Sequence, residues 1–290
     1  MFAGYSGLEM GVAQVLDAQP VWFAEIDEAP ARILQHHYPD VPNLGDVTKL
    51  DWGSVPPIDV LTAGYPCQPF SQAGHRKGTN DERHLWPYVF DAIKHLRPRI
   101  AFFENVRGHL TLGLTEVLED LASIGWNARW SCVRASDVGA PHHRERLFIL
   151  AYPDSFGQQE GGLASRPASQ ITWDNDLHST LAGINDAADI NHEMKLRWGD
   201  AAPAILTWAM LTGHAPPPIV IDHPDQQLRP RFPESRAATN PEFIEWLMGL
   251  PPGWVTNPEI GLTRNQQLKA LGNGVVPQQS AYALQHLLNL

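Results

Sequence analysis

Through the first 150 residues, short apolar runs alternate with stretches whose apolar positions recur at helical spacing. Val21–Glu25, Asp59–Ala63, Ile100–Glu104, Ala128–Val133 and Leu147–Ala151 read as strands, most of them apolar runs ending in polar or glycine-rich turns, as buried strands do. Between them, a helical pattern starts at Leu8. Asp27 is a suitable N-cap for a helix running toward His37 with Pro39 beyond it, and Leu114–Ile124 keeps helical spacing until Gly125. Strand and helix in alternation predict βαβ units and a mostly parallel sheet.

After Tyr152 the pattern changes. Residues 153–235 are rich in Gly, Pro, Asp, Asn and Ser, and Ala204–Leu211 is their one convincing apolar helix. Regularity returns at Pro241: Glu242–Met248 reads as helix, Gly249–Trp254 as turn, and Gln278–Leu288 as an amphipathic helix after Pro277. The chain reads as an α/β body, an irregular module, and a helical tail that rejoins the body. No internal repeat is present.

Composition narrows the classes. With 290 residues, 43% hydrophobic and 18% charged, the chain can bury a sizeable core and is not of the disordered type. No apolar run approaches the ~18 residues of a membrane span, and Met1–Leu16 lacks a basic leader, so a cytoplasmic protein without membrane attachment is expected. Two cysteines, Cys67 and Cys132, exclude a disulfide framework and a four-cysteine zinc site, and the pairs His36-His37 and His142-His143 lack a third ligand, so no metal is expected. The net charge of −11 argues against unspecific coating of a polyanion. Its distribution is uneven: −7 over residues 1–70, +2 over 71–150, −7 over 151–228 and +1 over 229–290.

Four segments carry candidate chemistry. In Gly64-Tyr65-Pro66-Cys67-Gln68-Pro69-Phe70-Ser71, Cys67 follows the carboxyl end of a strand, where open α/β sheets place their sites, and two prolines stiffen the loop. Such a cysteine is a nucleophile if its pKa is lowered, or a small buried hydrophobe otherwise. In Phe102-Phe103-Glu104-Asn105-Val106 the strand delivers Glu104 to the same rim. There a desolvated carboxyl group would keep its proton, or Glu104 would cap the turn while Asn105 bonds the backbone. Arg144-Glu145-Arg146 precedes the strand Leu147–Ala151, and alternation sends both guanidinium groups to one face. Finally, Phe2-Ala3-Gly4-Tyr5-Ser6-Gly7 opens a helix with glycines that permit close backbone approach to a cofactor. Glu25 is placed for ribose hydroxyls and Asp46 for an adenine amino group, or both acids serve ordinary turns.

Taken in order, FAGYSG, AEID, GDV, GYPCQPFS, FENV, RER and GNGVVP resemble the DNA cytosine carbon-5 methyltransferase family from one end of the chain to the other. The resemblance implies a doubly wound, Rossmann-like α/β fold that binds S-adenosylmethionine, formed by residues 1–153 and 236–290, with 154–235 as target-recognition domain. It implies that Cys67 attacks carbon 6 of a cytosine flipped out of duplex DNA and that Glu104 protonates ring nitrogen 3. Arg146 would contact the base carbonyl, and Arg144 would orient Glu104 or a phosphate. The implied cofactor positions are Phe2, Gly4, Gly7, Glu25, Ile26, Asp46, Pro66, Leu85, Asn273 and Val275. Gln68, Ser71, Arg76, Lys77, Arg83 and Val106 are implied on the DNA side. Such enzymes act as monomers on double-stranded DNA, many beside a cognate restriction endonuclease. An RNA cytosine methyltransferase and a DNA-binding remnant without activity are the alternatives.

The sequence departs from that pattern in four places. The family's first strand is largely missing ahead of Phe2, which implies a start further upstream or a fragment with weakened cofactor binding. Ser6 stands where glycine is usual and His142 where another polar residue is usual. The acidic 151–228 segment is unlike a DNA-reading surface, unless Lys195, Arg197, Arg229 and Arg231 share one face. Trp173, Trp198 and Trp208 read as packing residues more readily than as base-stacking ones, and Cys132 as a buried structural thiol.

Overall fold

The structure, a computed structural model, describes residues 1–66, 85–156, 195–222 and 237–289. The chain forms two compact units. The first takes in Met1–Val138, His143–Ile171 and Gly274–Leu290; the second takes in Gly139–His142 and Thr172–Asn273.

The first unit is built on a four-stranded sheet of β1 (Val60–Ala63), β2 (Ile100–Val106), β3 (Trp126–Val133) and β4 (Arg146–Pro153) in the order β1-β2-β4-β3. β1 and β2 are parallel, whereas β4 runs antiparallel to both β2 and β3. The expected mostly parallel sheet is therefore mixed. Parallel neighbours need a crossover, usually a helix; α3 (Trp86–Leu96) lies between β1 and β2, but only a loop and one 3₁₀ turn, Ala135–Val138, separate β3 from β4. β2 and β4 read as near-continuous apolar runs because both faces are covered. On one face lie Leu61, Phe103, Leu147 and Ile149 with Trp86 and Val117; on the other, Ile100, Phe102, Phe148 and Leu150 with Leu8, Val12 and Leu284.

Val21–Glu25 does not become a strand. Phe23 makes one parallel bridge with Asn43, and Phe2 N–H donates to Ala24 O at 2.8 Å. A strand is stabilised by a partner along its length, and among the described residues this segment has one bridge. The other predicted elements form within a few residues of their expected limits. These are α1 (Gly7–Val15), α2 (Glu28–His37), with Asp27 capping Ala29 N–H, and α5 (Leu114–Ser123). α3 and the short α4 (His109–Leu112) were not anticipated.

In the second unit α6 (Ala202–Thr212), α7 (Pro241–Leu247) and α8 (Arg264–Asn273) accompany the two-stranded pair β5 (Val220–Asp222) and β6 (Ala237–Thr239). Two buried indoles link its helices: Trp208 Nε1 donates to Trp246 O at 2.8 Å and Trp246 Nε1 to His214 O at 3.1 Å. Trp208 is thus a packing residue, and Trp198 stacks on Phe243. Glu245, also buried, gathers the turn after α7 by accepting from Gly253, Val255 and Thr256. His142 Nε2 bonds Leu247 O, so this histidine has a structural partner.

The C-terminal helix α9 (Pro277–Leu288) returns to the first unit and packs on α1. Close approach explains a glycine there. A side-chain carbon at Gly7 would stand 2.0 Å from Val275 O, and Tyr5 Oη donates to that same carbonyl at 2.8 Å. Ser6 sits buried in the left-handed region at φ 73°, which a side chain disfavours by about 1–2 kcal/mol. That is the physical reason for glycine at this position. Gly7→Ala should lower stability by about 2–3 kcal/mol, because a backbone carbonyl cannot swing aside. Ser6→Gly should raise it by about 0.5–1 kcal/mol, with strain relief partly offset by a freer unfolded chain. Urea denaturation of the two variants checks both signs.

Candidate active site

The carboxyl ends of β1 and β2 and the start of β4 bring Gly64, Glu104 and Arg146 together. β2 carries Glu104 and Asn105 inward, both buried, and leaves Val106 exposed at its end. In the antiparallel register Val106 stands opposite Arg146. Glu104, two residues earlier on the same face, is a diagonal neighbour within reach of a long side chain. Arg146 Nε lies 2.9 Å from Glu104 Oε1, with both side chains largely shielded from solvent.

Burial pushes the Glu104 carboxyl up to about 7, outweighing the opposing pull of the Arg146 and Arg144 guanidinium groups. Near neutral pH this group exists in both protonated and ionised forms, as a proton donor in turnover requires. The β1 end is adjacent. A side-chain carbon at Gly64 would lie 3.7 Å from Glu104 Oε2, so the strand leading to Pro66 passes beside the carboxyl group.

Arg144 lies ahead of β4, and its Nη2 donates to Gly274 O at 2.6 Å, while its charge acts on the Glu104 carboxyl. Arg146, set by the β2–β4 register, pairs with that carboxyl. Glu145, between them, points away to Arg107 at 3.2 Å and Arg134 at 3.7 Å, as alternation predicts.

Three supporting residues escaped the sequence reading of the site. Gln279 on α9 is fully buried and donates through Nε2 to Val133 O at 2.6 Å and Arg144 O at 2.9 Å, pinning the approach to β4. Tyr65 Oη and His109 Nε2 are 2.8 Å apart in a buried aromatic cluster with Trp86 and Phe103. Desolvation lowers His109 to about 4, so it is neutral at physiological pH. Asn105 Nδ2 donates to Tyr65 O at 3.1 Å, tying the end of β2 to the residue before Pro66; this is the backbone role that the sequence suggested. Glutamine after a proline at a helix start was a visible but unspecific signal. Nothing in the spacing of Tyr65 and His109 announces their pairing.

Along the neighbouring rim, Glu25 accepts Gly4 N–H through Oε2 and Asp27 N–H through Oε1, both at 2.9 Å. Each oxygen retains capacity for another donor. Gly4 has open space where a side chain would project, and Ile26, beside Glu25, is 72% exposed. Phe2, half-buried, precedes that turn. Asp46 caps a 3₁₀ turn through Thr48 and pairs with Lys49, and the hydrogen bonds from Thr48 hold its carboxyl below the usual range. Pro66 is exposed, and Leu85 stands directly before α3. Val275 is buried with its carbonyl taken by Tyr5, while Asn273 ends α8 in the second unit. Gly4, Glu25 and Ile26 therefore combine an open backbone turn, a carboxylate with spare acceptors and an exposed apolar side chain, which suits the ribose and base of a nucleoside cofactor.

Cys67, Gln68, Ser71, Arg76, Lys77 and Arg83 lie outside the described residues, as do Trp173, Arg229 and Arg231. Among the recognition-module cations that are described, Lys195 is exposed and Arg197 lies 5.3 Å over the Trp198 ring. Cys132 lies half-buried on β3, its thiol pushed up by desolvation. No described helix is long and apolar enough to cross a membrane.

Comparison with known proteins bears on the family and the fold. Type II methyltransferase M.NlaIV of Neisseria lactamica is 36% identical over 184 residues, covering 58% of this chain and 41% of its own length. Type II methyltransferase M.BsuFI of Bacillus subtilis is 26% identical over 98% of this chain and 70% of its own length. The matched region is thus about two fifths of the first relative. Among solved structures, the S. pombe Dnmt2 methyltransferase aligns with a TM-score of 0.63 at 16% identity, covering 99% of this chain and 97% of its own. The Entamoeba histolytica methyltransferase EhMeth gives 0.60 at 17% identity, over 99% and 96%. These structural likenesses show a shared Rossmann-like fold. The family model for C-5 cytosine-specific DNA methylases matches residues 1–201, and with that match over most of its length the chain belongs to the C-5 cytosine-specific DNA methylase family.

Proposed function

We propose that this chain transfers a methyl group to carbon 5 of cytosine in double-stranded DNA, with S-adenosylmethionine as donor. The observation that carries the reading is the dry Glu104–Arg146 pair at the end of β2, beside the strand that leads to Cys67. Cytosine is a weak carbon nucleophile, and covalent addition splits one difficult step into easier ones. In this reading the Cys67 thiolate adds to carbon 6 of a base flipped from the duplex, since the stacked ring is otherwise out of reach. Glu104 delivers its proton to ring nitrogen 3, so negative charge does not accumulate on the ring. Arg146 holds that carboxyl in place and has further N–H donors for the base carbonyl. Arg144, anchored on Gly274 O, fixes the loop ahead of β4. When bound, S-adenosylmethionine supplies an electrophilic methyl group; Gly4, Glu25 and Ile26 hold its nucleoside, with Phe2, Gly7, Asp46, Pro66, Leu85, Asn273 and Val275 as the remaining positions that the family pattern assigns. Loss of the carbon-5 proton to solvent then expels the Cys67 thiolate, and ring nitrogen 3 returns its proton to Glu104, which restores both the ring and the acid.

Residues 154–235 serve as target reader, with Gln68, Ser71, Arg76, Lys77, Arg83 and Val106 facing the DNA. A monomer suffices for this chemistry, and a restriction endonuclease of matching specificity is the expected partner in the cell. Charge supports a reading surface confined to a few cations, because the segment as a whole is acidic.

Two experiments test the reading. Duplex DNA carrying 5-fluorocytosine should trap a covalent adduct, because the fluorine cannot leave as a proton does, and Cys67→Ala should trap none. Structured RNA offered in parallel should remain unmodified; trapping on RNA alone would move the substrate class, and DNA retention without methyl incorporation would reduce the chain to a binding protein. Second, Glu104→Gln should lower kcat by roughly 10²-fold or more, since an amide cannot give the proton. The wild-type rate should fall as pH rises through about 7. Stability carries the same sign. A carboxyl raised from 4.5 in the unfolded chain to about 7 in the folded one contributes stability that is complete below the unfolded value and is lost across that interval as pH rises. Urea melts between pH 4 and 8 should therefore show wild type losing ground to Glu104→Gln over that window.

A further inference from the structure

Two acid–arginine arrangements stand back to back where β4 begins. Arg146 turns to one face of the sheet, where it meets Glu104, and Glu145 turns to the other. Continued by one residue, the β2–β4 register sets Arg107 opposite Glu145, and the β3–β4 register sets Arg134 opposite it on the other side. Arg107, Glu145 and Arg134 thus form one row across three strands, at the rim that carries the candidate site. Arg107 Nη1 lies 3.2 Å from Glu145 Oε2 and Arg134 Nε lies 3.7 Å from Oε1, so each guanidinium faces a different carboxylate oxygen. We propose that Arg107 and Arg134, spaced by Glu145, are a two-pronged clamp for one phosphodiester group of the duplex. The proposal rests on the reading of duplex DNA as substrate, and adds to it two phosphate-binding residues and the acid that positions them.

Charge and exposure separate this row from an ordinary surface ion pair. One carboxylate cannot neutralise two guanidinium groups, so the row stays positive. The arginine side chains are 67% and 55% exposed and that of Glu145 only 23%, so the acid lies beneath and the cations face solvent. Each guanidinium has five N–H donors in a planar fork, and a shared carboxylate occupies only part of them; the rest suit phosphate oxygens. An exposed ion pair adds little to stability, so folding alone gives weak reason to gather two arginines around one acid.

The backbone at both ends of the row is already fixed. Leu110 N–H donates to Arg107 O at 3.1 Å, and the Asp137 carboxylate is engaged in accepting Arg134 N–H at 2.8 Å. Side chains held in this way lose less freedom when an anion binds. Position favours a nucleic-acid phosphate as that anion. Arg107 follows the exposed Val106 at the end of β2, so DNA that delivers a base to Glu104 brings its phosphates past this rim. In a chain of net charge −11, a positive row there is a local exception that attracts the backbone.

Binding of the full chain to a short mixed-sequence duplex, followed by fluorescence anisotropy between about 50 and 200 mM salt, tests the clamp. Arg107→Gln and Arg134→Gln should each weaken binding about tenfold at the lower salt and make the slope of log K against log salt shallower by about one. Arg107→Lys and Arg134→Lys should restore the slope, which separates loss of charge from loss of fold. Glu145→Gln keeps both cations and should bind at least as tightly as wild type. Lys94→Gln removes another exposed, acid-paired cation, on α3 ahead of the amino end of β2, and should change nothing. Three outcomes overturn the proposal: unchanged slopes in both glutamine variants, a loss that lysine does not restore, or equal weakening by Glu145→Gln, which would make the row a structural ion-pair network. Weakening confined to structured RNA overturns it as well. None of these readouts needs methyl transfer. Altered slopes in a chain that incorporates no methyl groups would refute the catalytic reading alone, and normal methylation with unaltered slopes would refute the clamp alone.

Discussion

Glu104 is carried by β2 into a place that water scarcely reaches, and one guanidinium, Arg146, meets it there. Two opposing forces act on its proton: burial favours the neutral acid, and the cation favours the carboxylate. The outcome near neutrality depends on both strands holding their register. A slip of one residue between β2 and β4 would send Arg146 to the other face of the sheet and leave the carboxyl without its partner.

Much of the remaining first unit can be understood as support for that register. The β4 strand is central, paired on both edges, and its approach is pegged by Gln279 from the C-terminal helix. The same helix presses on α1 closely enough that Gly11 has no room for a side chain, and the Val275 carbonyl just ahead of it leaves none at Gly7. Asn105 and Tyr65 tie the ends of β2 and β1 together, and His109, kept neutral by desolvation, closes that cluster without adding charge. The rim is stiff on the Glu104 side, as a preorganised site requires. On the opposite flank, Met1 and Phe2 bond through their backbone to β1 and to Ala24, and Trp22 and Ala24 share a core with Leu61 and Ala63.

Element type was legible wherever a segment was long or strongly apolar. β2, β4, α2, α5 and α9 all lie close to where periodicity and caps put them. α3 and α8 were missed. Trp86-Pro87 hides a helix start behind an aromatic and a proline, and Arg264–Asn273 is too polar for an apolar stripe to show. Val21–Glu25 has strand composition yet forms a single bridge, because pairing, not propensity, makes a strand. At the site, Glu104 and Arg146 were readable as a strand-end acid and a strand-start base. That Arg146 pairs directly with the Glu104 carboxyl was not, since it turns on the β2–β4 register.

The order of chemical motifs along the chain, the apolar character of its strands and the presence of a cysteine loop and an acid at strand ends are properties of the sequence itself. They follow from local rules of periodicity and turn chemistry. That Arg146 pairs with the Glu104 carboxyl, and how far that group's proton affinity rises, were decided only in three dimensions. Each depends on strand register and on the exclusion of water by residues far away in the chain, and neither leaves a local signature.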